Sequence, residues 1–260
     1  MFINTETQEG VEIITINRPE ALNALNPQVL EELKAAFEAV DQNVIRCIIL
    51  TGAGDKSFVA GADIASMSRM TKEEGEAFGK LGNDIFLMIE NFPIPVIAAV
   101  NGYALGGGNE LAMCCDIRIC SDDALFGQPE VGLGITPGFG GTQRLARLIG
   151  PGMAKQIIYA ALNINAEEAL RVGLVNAVYT QQELMANALK LALKISKNAP
   201  IAVRACKQAI NQGLQVSIEE GIAIEEKLFG SCFETHDQVE GMACFLSREK
   251  PKPKPVFTNN

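Results

Sequence analysis

Two glutamates and a run of three glycines stand close together in the middle of the chain. The glycines at 106–108 directly precede a predicted helix that opens with NELAMCC, and Glu110 falls in its first turn. Glycines leave backbone N–H groups open to a ligand, and a helix N-terminus favours negative charge. Glu130 follows Pro129 in a predicted loop. Such a set of groups could stabilise a developing oxyanion and move protons beside it.

Each part of this set also has a purely structural explanation. Glycine runs commonly serve tight turns and close packing. A glutamate in a first helical turn is favoured there by the helix dipole alone. A second glycine-containing loop, Gly61-Ala62-Asp63, strengthens the functional interpretation. The combination therefore predicts a binding or catalytic site, while spacing alone assigns no role to either glutamate.

Several other kinds of site lack their sequence signals. The chain contains neither the G-x-G-x-x-G pattern of dinucleotide sites nor the G-x-x-x-x-G-K-[ST] pattern of nucleoside triphosphate sites. It has one histidine, His236, and no G-x-S-x-G, which leaves little from which to build a serine hydrolase. The same shortage of ligands argues against a hydrolytic metal site. We expect His236 to open a helix after Thr235.

Composition indicates a globular protein of one large domain, or one domain with a helical appendage. The chain has 260 residues, of which 48% are hydrophobic and 20% charged. A net charge of −9 argues against a nucleic-acid partner. Seven cysteines without C-x-x-C spacing predict reduced thiols. With no signal peptide and no long apolar run, we expect a soluble, cytoplasmic protein that does not enter a membrane.

The elements that must position the site alternate along the first half of the chain. Short β-branched runs predict strands at 11–16, 45–50, 95–100 and 116–120. Helical periodicity predicts helices at 27–41 and 72–91, with Pro27 and Thr71 as start signals, and then at 142–160, 166–172, 181–198, 200–213, 217–231 and 235–246. The one later strand is predicted near 176–178. This order predicts an α/β core with parallel strands, followed by a helical region.

Four segments resemble the enoyl-CoA hydratase (crotonase) family, in the family's order and across nearly the whole chain. They are FVAGADI (58–64), NGYALGGGNELAM (101–113), FGQPEVGLG (126–134) and PGFGGTQRL (137–145). Pattern alone would suggest a doubly wound sheet, whereas the resemblance implies a crotonase-like spiral of ββα repeats. It also implies a spiral core at 1–199, a helical oligomerisation region at 200–260, and a homotrimer or a homohexamer made from two trimers.

The resemblance also implies roles for individual residues. Positions matching Ala62 and Gly107 give the backbone N–H groups of an oxyanion hole, and Glu110 and Glu130 match the two glutamates that hold water in the hydratases. Gly138 matches a glycine whose backbone helps to hold the site, and Gln128 is at most supportive. The positions expected to line bound coenzyme A are Ala60, Asp63, Ile64 and Ala65.

The reaction that the resemblance favours is reversible hydration of a short-chain trans-2-enoyl-CoA to a 3-hydroxyacyl-CoA. No metal and no separate cofactor is expected, because coenzyme A is part of the substrate. Met67, Met70 and Phe86 could close the acyl pocket, or could equally be core residues. Two alternatives stay open, an enoyl-CoA isomerase or another acyl-CoA enzyme of this fold, and a non-catalytic RNA-binding relative. The acidic first helix offers no basic face for RNA.

Overall fold

The computed structural model describes all residues of the chain, 1–260. Ten strands alternate with helices in its first two thirds. The strands are β1 (Ile3–Gln8), β2 (Val11–Ile16), β3 (Cys47–Gly52), β4 (Ser57–Val59), β5 (Val96–Val100), β6 (Tyr103–Leu105), β7 (Ile117–Ser121), β8 (Leu125–Gly127), β9 (Asn163–Asn165) and β10 (Ala177–Tyr179).

Eleven α-helices connect and follow these strands. They are α1 (Pro27–Glu38), α2 (Ile64–Met67), α3 (Lys72–Glu90), α4 (Gly107–Cys114), α5 (Gly141–Ile149), α6 (Pro151–Tyr159), α7 (Ala166–Arg171), α8 (Leu184–Ser196), α9 (Pro200–Gly213), α10 (Ile218–Cys232) and α11 (His236–Leu246). None of them is both long and apolar enough to cross a membrane. Single-turn 3-10 helices occupy Pro19–Ala21 and Glu130–Leu133.

The strands form two sheets whose order reveals a spiral. One sheet has the order β1-β2-β3-β5-β7-β10, and the other has the order β4-β6-β8-β9. The pairs β3/β4, β5/β6 and β7/β8 each give one strand to each sheet before a helix follows. This is a repeated ββα turn, so the crotonase-like spiral is confirmed. The doubly wound sheet that pattern alone suggested is wrong, because the second strand of each repeat was too short to recognise.

The predicted long elements are confirmed with small shifts at their ends. Helix α1 begins at Pro27. Asn26 is its N-cap, and the Asn26 side chain accepts a hydrogen bond from the Val29 N–H group. Helix α3 begins with a capping box in which Thr71 and Glu74 exchange hydrogen bonds. The predicted helix at 142–160 is instead two helices, because Gly150 has a positive φ of 81° and Pro151 starts a new helix.

Four of the five missed strands are short. Strands β4, β6, β8 and β9 have three residues each, which is too few for a period of two to stand out. Strand β9 contradicts the expectation of a single later strand; the other, β10, lies where it was predicted. Strand β1 was also missed, and its burial pattern explains why, since only Ile3 of its six residues is buried.

Two apolar cores lie on opposite faces of the six-stranded sheet. Alternate residues such as Ile48, Leu50 and Val96 face the larger core, which includes both sheets and helices α1 and α3. Their neighbours Ile49 and Ile97 face the smaller core under α8. Burial on both faces explains why β3 and β5 read as continuous apolar runs.

The C-terminal helices leave the core. Helix α9 begins at Pro200 and packs along α10, where Gly221 and Gly213 approach closely, but no residue of α10 is buried. The large apolar side chains exposed on α9–α11 or directly after α10 are Ile210, Ile218, Ile222, Phe229, Phe233, Val239, Met242, Phe245 and Leu246. The final residues return to α11, where buried Asp237 accepts from the N–H groups of Thr258 and Asn259. As expected, Thr235 caps the helix that His236 opens.

Candidate active site

The four-stranded sheet places three segments of the site at one edge. Strands β4, β6 and β8 are parallel neighbours, with Val59 paired to Ala104 and Ala104 paired to Phe126. The carboxyl ends of parallel neighbours meet at the same edge of a sheet. Ala62 follows β4, Gly107 follows β6 and Glu130 follows β8. The spiral therefore brings together residues that are far apart in the chain.

The glycine run forms the beginning of α4. Gly106 is its N-cap with a φ of 50°, and the helix starts at Gly107, so the expectation that all three glycines precede the helix is wrong. A Cβ at Gly108 would lie 1.8 Å from the carbonyl oxygen of Val59. The absence of a side chain therefore lets α4 pack directly on β4, and every residue of α4 is buried.

Two backbone donors remain free beside each other. Neither the Ala62 N–H group nor the Gly107 N–H group donates a hydrogen bond within the chain. A Cβ on Gly107 would lie 3.5 Å from the Ala62 nitrogen, so the two residues are in close proximity. The Gly107 group also sits in the first turn of α4, where the helix dipole is positive. The two N–H groups can both donate to one anionic oxygen.

The loop after β4 forms a partly exposed rim next to these donors. The N–H groups of Ala60 and Asp63 donate to the carbonyl oxygens of Leu22 and Leu25 at 3.0 and 2.7 Å. These two N–H groups are therefore not available to a ligand, whereas carbonyl oxygens of the rim are. The Asp63 carboxylate accepts from the Ala65 N–H at 3.1 Å. It also pairs with Arg18 at 2.8 Å, and this hydrogen bond lowers the pKa of Asp63. Ile64 and Ala65 are exposed on the same rim.

Glu110 is held by the loop that leads into α5. One carboxylate oxygen, Oε1, accepts from the Phe139 N–H group at 2.9 Å and from the Gly141 N–H group at 2.6 Å. The residue is 1% exposed. The second oxygen, Oε2, accepts no hydrogen bond within the chain, so it is free for water or substrate.

Glu130 approaches the same place from the other side. Its Oε1 atom lies 2.8 Å from the position that a Cβ on Gly106 would take. The amide of Gln128, which is fully buried, lies beside it: turned so that its NH2 group faces the carboxyl, it donates at 2.8 and 3.1 Å. Glu130 is 8% exposed. Gln128 therefore touches the carboxyl group of Glu130 rather than only preceding it in sequence.

Burial shifts the titration of both glutamates toward neutral pH. Burial, together with the charge of Glu130, raises the pKa of Glu110 to about 7, against the lowering effect of the Gly141 and Phe139 N–H groups. Burial raises the pKa of Glu130 to about 7 as well. Interacting carboxyls titrate as a pair. Near pH 7 this pair can therefore hold one proton, which is the state suited to acid and base work at once.

Three residues of the Gly138 loop contribute more than the sequence suggested. Gly138 offers its carbonyl oxygen to Asn83 of α3 at 2.8 Å, which anchors the loop. Phe139 and Gly141, which were not singled out from the sequence, supply both N–H groups that hold Glu110. The only available signal was their place in PGFGGTQRL, since a backbone donor leaves no mark on residue type.

Comparison with protein families gives a match over nearly the whole chain. The family model described as "Enoyl-CoA hydratase/isomerase" matches residues 6–256. A protein from Clostridium acetobutylicum named short-chain-enoyl-CoA hydratase is 56% identical over 246 residues, which are 94% of each chain. A protein from Syntrophomonas wolfei named crotonyl-CoA hydratase is 55% identical over 94% of this chain and 95% of its own.

Comparison with solved structures agrees. The crystal structure of an enoyl-CoA hydratase from Bacillus anthracis superposes with a TM-score of 0.95, at 40% identity and over the full length of both chains. A second hydratase structure, from Geobacillus kaustophilus, has a TM-score of 0.93 at 39% identity. These similarities extend through the C-terminal helices, because both alignments cover 100% of this chain.

Proposed function

The chain belongs to the enoyl-CoA hydratase/isomerase family, and we propose from that premise that Glu110 and Glu130 add water to a short-chain trans-2-enoyl-CoA. The product is a 3-hydroxyacyl-CoA, and the reaction is reversible. One observation carries the assignment of these residues. Two buried carboxyls with a pKa of about 7 lie next to two unpaired N–H groups.

The oxyanion donors act on the thioester carbonyl. When water attacks the β carbon, the electrons of the double bond move toward the carbonyl oxygen, which becomes an enolate. The N–H groups of Ala62 and Gly107 stabilise this negative charge by donating hydrogen bonds to the oxygen. Loss of one donor of this kind typically costs about 10²–10³ in rate. The site therefore favours the enolate-like transition state over the neutral thioester.

The two glutamates move the protons. Ionised Glu110 accepts a proton from the attacking water, whose oxygen bonds to the β carbon. Two backbone donors on its Oε1 support the ionised form. Protonated Glu130 gives its proton to the α carbon as the enolate collapses. The pair ends with one proton, as it began, but on Glu110, and dehydration runs from that state in reverse.

The coenzyme A moiety would lie along the rim formed by residues 60–65. The carbonyl oxygens of Ala60 and Ala62 accept no hydrogen bond within the chain, so they are available to amino groups of a ligand. Gly138 acts through its loop, which holds Glu110. The reaction needs no metal and no added cofactor, because the thioester supplies the electron sink.

The C-terminal region would assemble the enzyme as a homotrimer or homohexamer. Its support is the row of large apolar side chains exposed on α9–α11, which is unusual for a surface left to water. The division into a core at 1–199 and an assembly region at 200–260 belongs to the same proposal. A cytoplasmic location is supported by seven unpaired cysteines.

The first experiment follows the loss of absorbance of the conjugated enoyl thioester. Purified protein is mixed with crotonyl-CoA and, in parallel, with hexenoyl- and decenoyl-CoA. We expect rapid loss that is fastest with crotonyl-CoA. A 3-enoyl thioester serves as the comparison for an isomerase, which would form the conjugated product from it. Binding of all three 2-enoyl thioesters without hydration would contradict the proposed function.

The pH dependence of the reaction should follow the carboxyl pair. Activity needs Glu110 ionised and Glu130 protonated, and both have a pKa of about 7. We therefore expect kcat/KM for crotonyl-CoA to be greatest near pH 7. It should fall at lower pH as Glu110 gains a proton, and at higher pH as Glu130 loses one. A profile that stays flat from pH 5 to 9 would contradict this assignment.

A further inference from the structure

One aromatic side chain joins the two halves of the proposed site. The ring of Phe139 lies so close to Gly107 that a Cβ there would be 3.2 Å from its Cδ2 atom and 3.3 Å from its Cε2 atom. The N–H group of the same residue donates to Glu110. Phe139 is 3% exposed. It therefore contacts both an oxyanion donor residue and a carboxylate.

Helix α3 leaves the space that this ring fills. The Phe139 ring meets the rings of Phe78 and Phe86 edge to face, at centroid distances of 5.1 and 5.5 Å. Gly82 lies between these two on the same face of α3, and a Cβ there would be 2.3 Å from the Phe139 ring. A glycine inside a helix is destabilising relative to alanine. At position 82 a glycine is needed because any side chain would clash with the Phe139 ring.

The backbone of Phe139 is held independently of its ring. Its carbonyl oxygen accepts from Arg144 Nη1 at 3.0 Å, and Arg144 in turn pairs with Glu90 of α3 at 2.7 Å. The preceding carbonyl, that of Gly138, accepts from Asn83. A smaller side chain at 139 should therefore leave the N–H group on Glu110, so that the contribution of the ring can be tested separately.

We propose that Phe139 limits the length of the acyl chain, by closing the apolar space beside the oxyanion donors. This inference rests on the proposed function. The acyl chain starts at the carbonyl carbon held by Ala62 and Gly107, so its first carbons lie within reach of the ring that covers Gly107. Phe139→Ala removes six ring carbons. The space left is walled by Phe78, Phe86 and Gly82, and apolar cavities of this kind accept apolar ligands.

This assignment changes the interpretation of the residues suggested by the sequence. Phe86 is fully buried and packs against Phe139, so it supports the ring that closes the space. Met67 ends α2 and Met70 lies in the turn that follows, and both pack on the core while partly exposed. The three atoms nearest to a Cβ placed on Gly107 belong to the Phe139 ring and to Ala62, and none belongs to either methionine.

The test compares chain-length preference in Phe139→Ala, Phe139→Leu and the unaltered enzyme. We expect the ratio of kcat/KM for decenoyl-CoA to that for crotonyl-CoA to rise by at least about tenfold in Phe139→Ala. A single methylene group in an apolar pocket is typically enough to change such a ratio by about that factor. Phe139→Leu keeps apolar volume and should give a smaller rise. It also preserves the test if the alanine variant does not fold.

The matched control is Phe37→Ala, which removes a fully buried ring whose aromatic partner is Phe92. It should lower Tm while leaving the ratio unchanged, since a merely structural loss does not change substrate preference. An unchanged ratio in both Phe139 variants, or equal losses with all thioesters, would overturn the inference. Failure of the unaltered enzyme to hydrate any of the thioesters would instead remove the proposed function itself.

Discussion

Glu130→Gln is expected to lower kcat for hydration of crotonyl-CoA by about 10²–10⁴, the usual contribution of a positioned general acid or base. The amide cannot release a proton to the α carbon, yet it has nearly the shape of the protonated carboxyl. Binding of a thioester should therefore stay near that of the unaltered enzyme. The measurement is the initial rate of absorbance loss at saturating crotonyl-CoA, with binding followed by calorimetry.

The control for this substitution is Glu31→Gln, which makes the same chemical change on the exposed face of α1. It should leave both turnover and binding unaltered. Turnover by Glu130→Gln equal to that of the unaltered enzyme would refute the role given to Glu130. Any residual activity should also lose the decline above pH 7, because glutamine has no proton to lose there.

Stability should move in the opposite direction to activity in this variant. The pKa of Glu130 is raised by burial from 4.5 to about 7, so the folded state binds the proton more tightly than the unfolded chain does. Between these values, rising pH removes stability, because the unfolded chain ionises first. Glu130→Gln escapes this loss. We expect its Tm to exceed that of the unaltered enzyme at pH 8 and the difference to shrink toward pH 5.

This opposition explains why a site of this kind departs from what folding alone would select. Glu110 and Glu130 are both buried, and burial of an ionised carboxylate lowers the free energy of unfolding. The backbone donors of Phe139 and Gly141 offset part of this cost at Glu110. Glu130 has no backbone donor outside its own residue, so it is the better placed of the two to keep the proton.

Local signals in the sequence were enough to predict the long elements. Asn26 and Thr71 cap α1 and α3 with their own side chains, and the apolar period of each helix extends over three turns or more. The buried strands β2, β3 and β5 are β-branched runs whose type does not depend on distant partners. Helix caps and apolar runs of this kind involve residues that are near one another in the sequence, so they can be predicted from the sequence alone.

The site depends on contacts that adjacent residues do not encode. The strands that align it, β4, β6 and β8, have three residues each, and their pairing decides that Ala62 and Gly107 meet. Glu110 is held by N–H groups 29 and 31 residues away. Residue types and spacing predicted a site here, but only the resemblance of four motifs to a family gave roles to Glu110, Glu130 and the oxyanion donors. The resemblance did not reveal the role proposed for Phe139. That role depends on the two glycines that border its ring, Gly82 and Gly107, and both are distant from it in sequence.

Deletion of residues 217–260 is expected to abolish assembly and to leave a chain that is dissociated or unfolded. The deletion removes α10, α11 and the tail, and it strips the partner helix from α9. It also removes a link to the core, because Arg46 donates to the Phe257 carbonyl oxygen at 2.6 Å. Sedimentation of the full-length chain should give a trimer or hexamer, whereas the truncated chain should sediment as a monomer or aggregate.

A gentler variant separates loss of assembly from loss of folding. The rings of Phe229 and Phe233 meet edge to face at a centroid distance of 5.1 Å and are 66% and 50% exposed, so a monomer would leave both in water. Replacing both with Asp should prevent self-association with little effect on the fold of one chain. Glu226→Ala on the same helix is the control, and it should assemble normally. The truncated chain could instead remain folded and active with the same number of subunits as the full-length protein. In that case the C-terminal helices would have no part in assembly, and their apolar faces would need another partner.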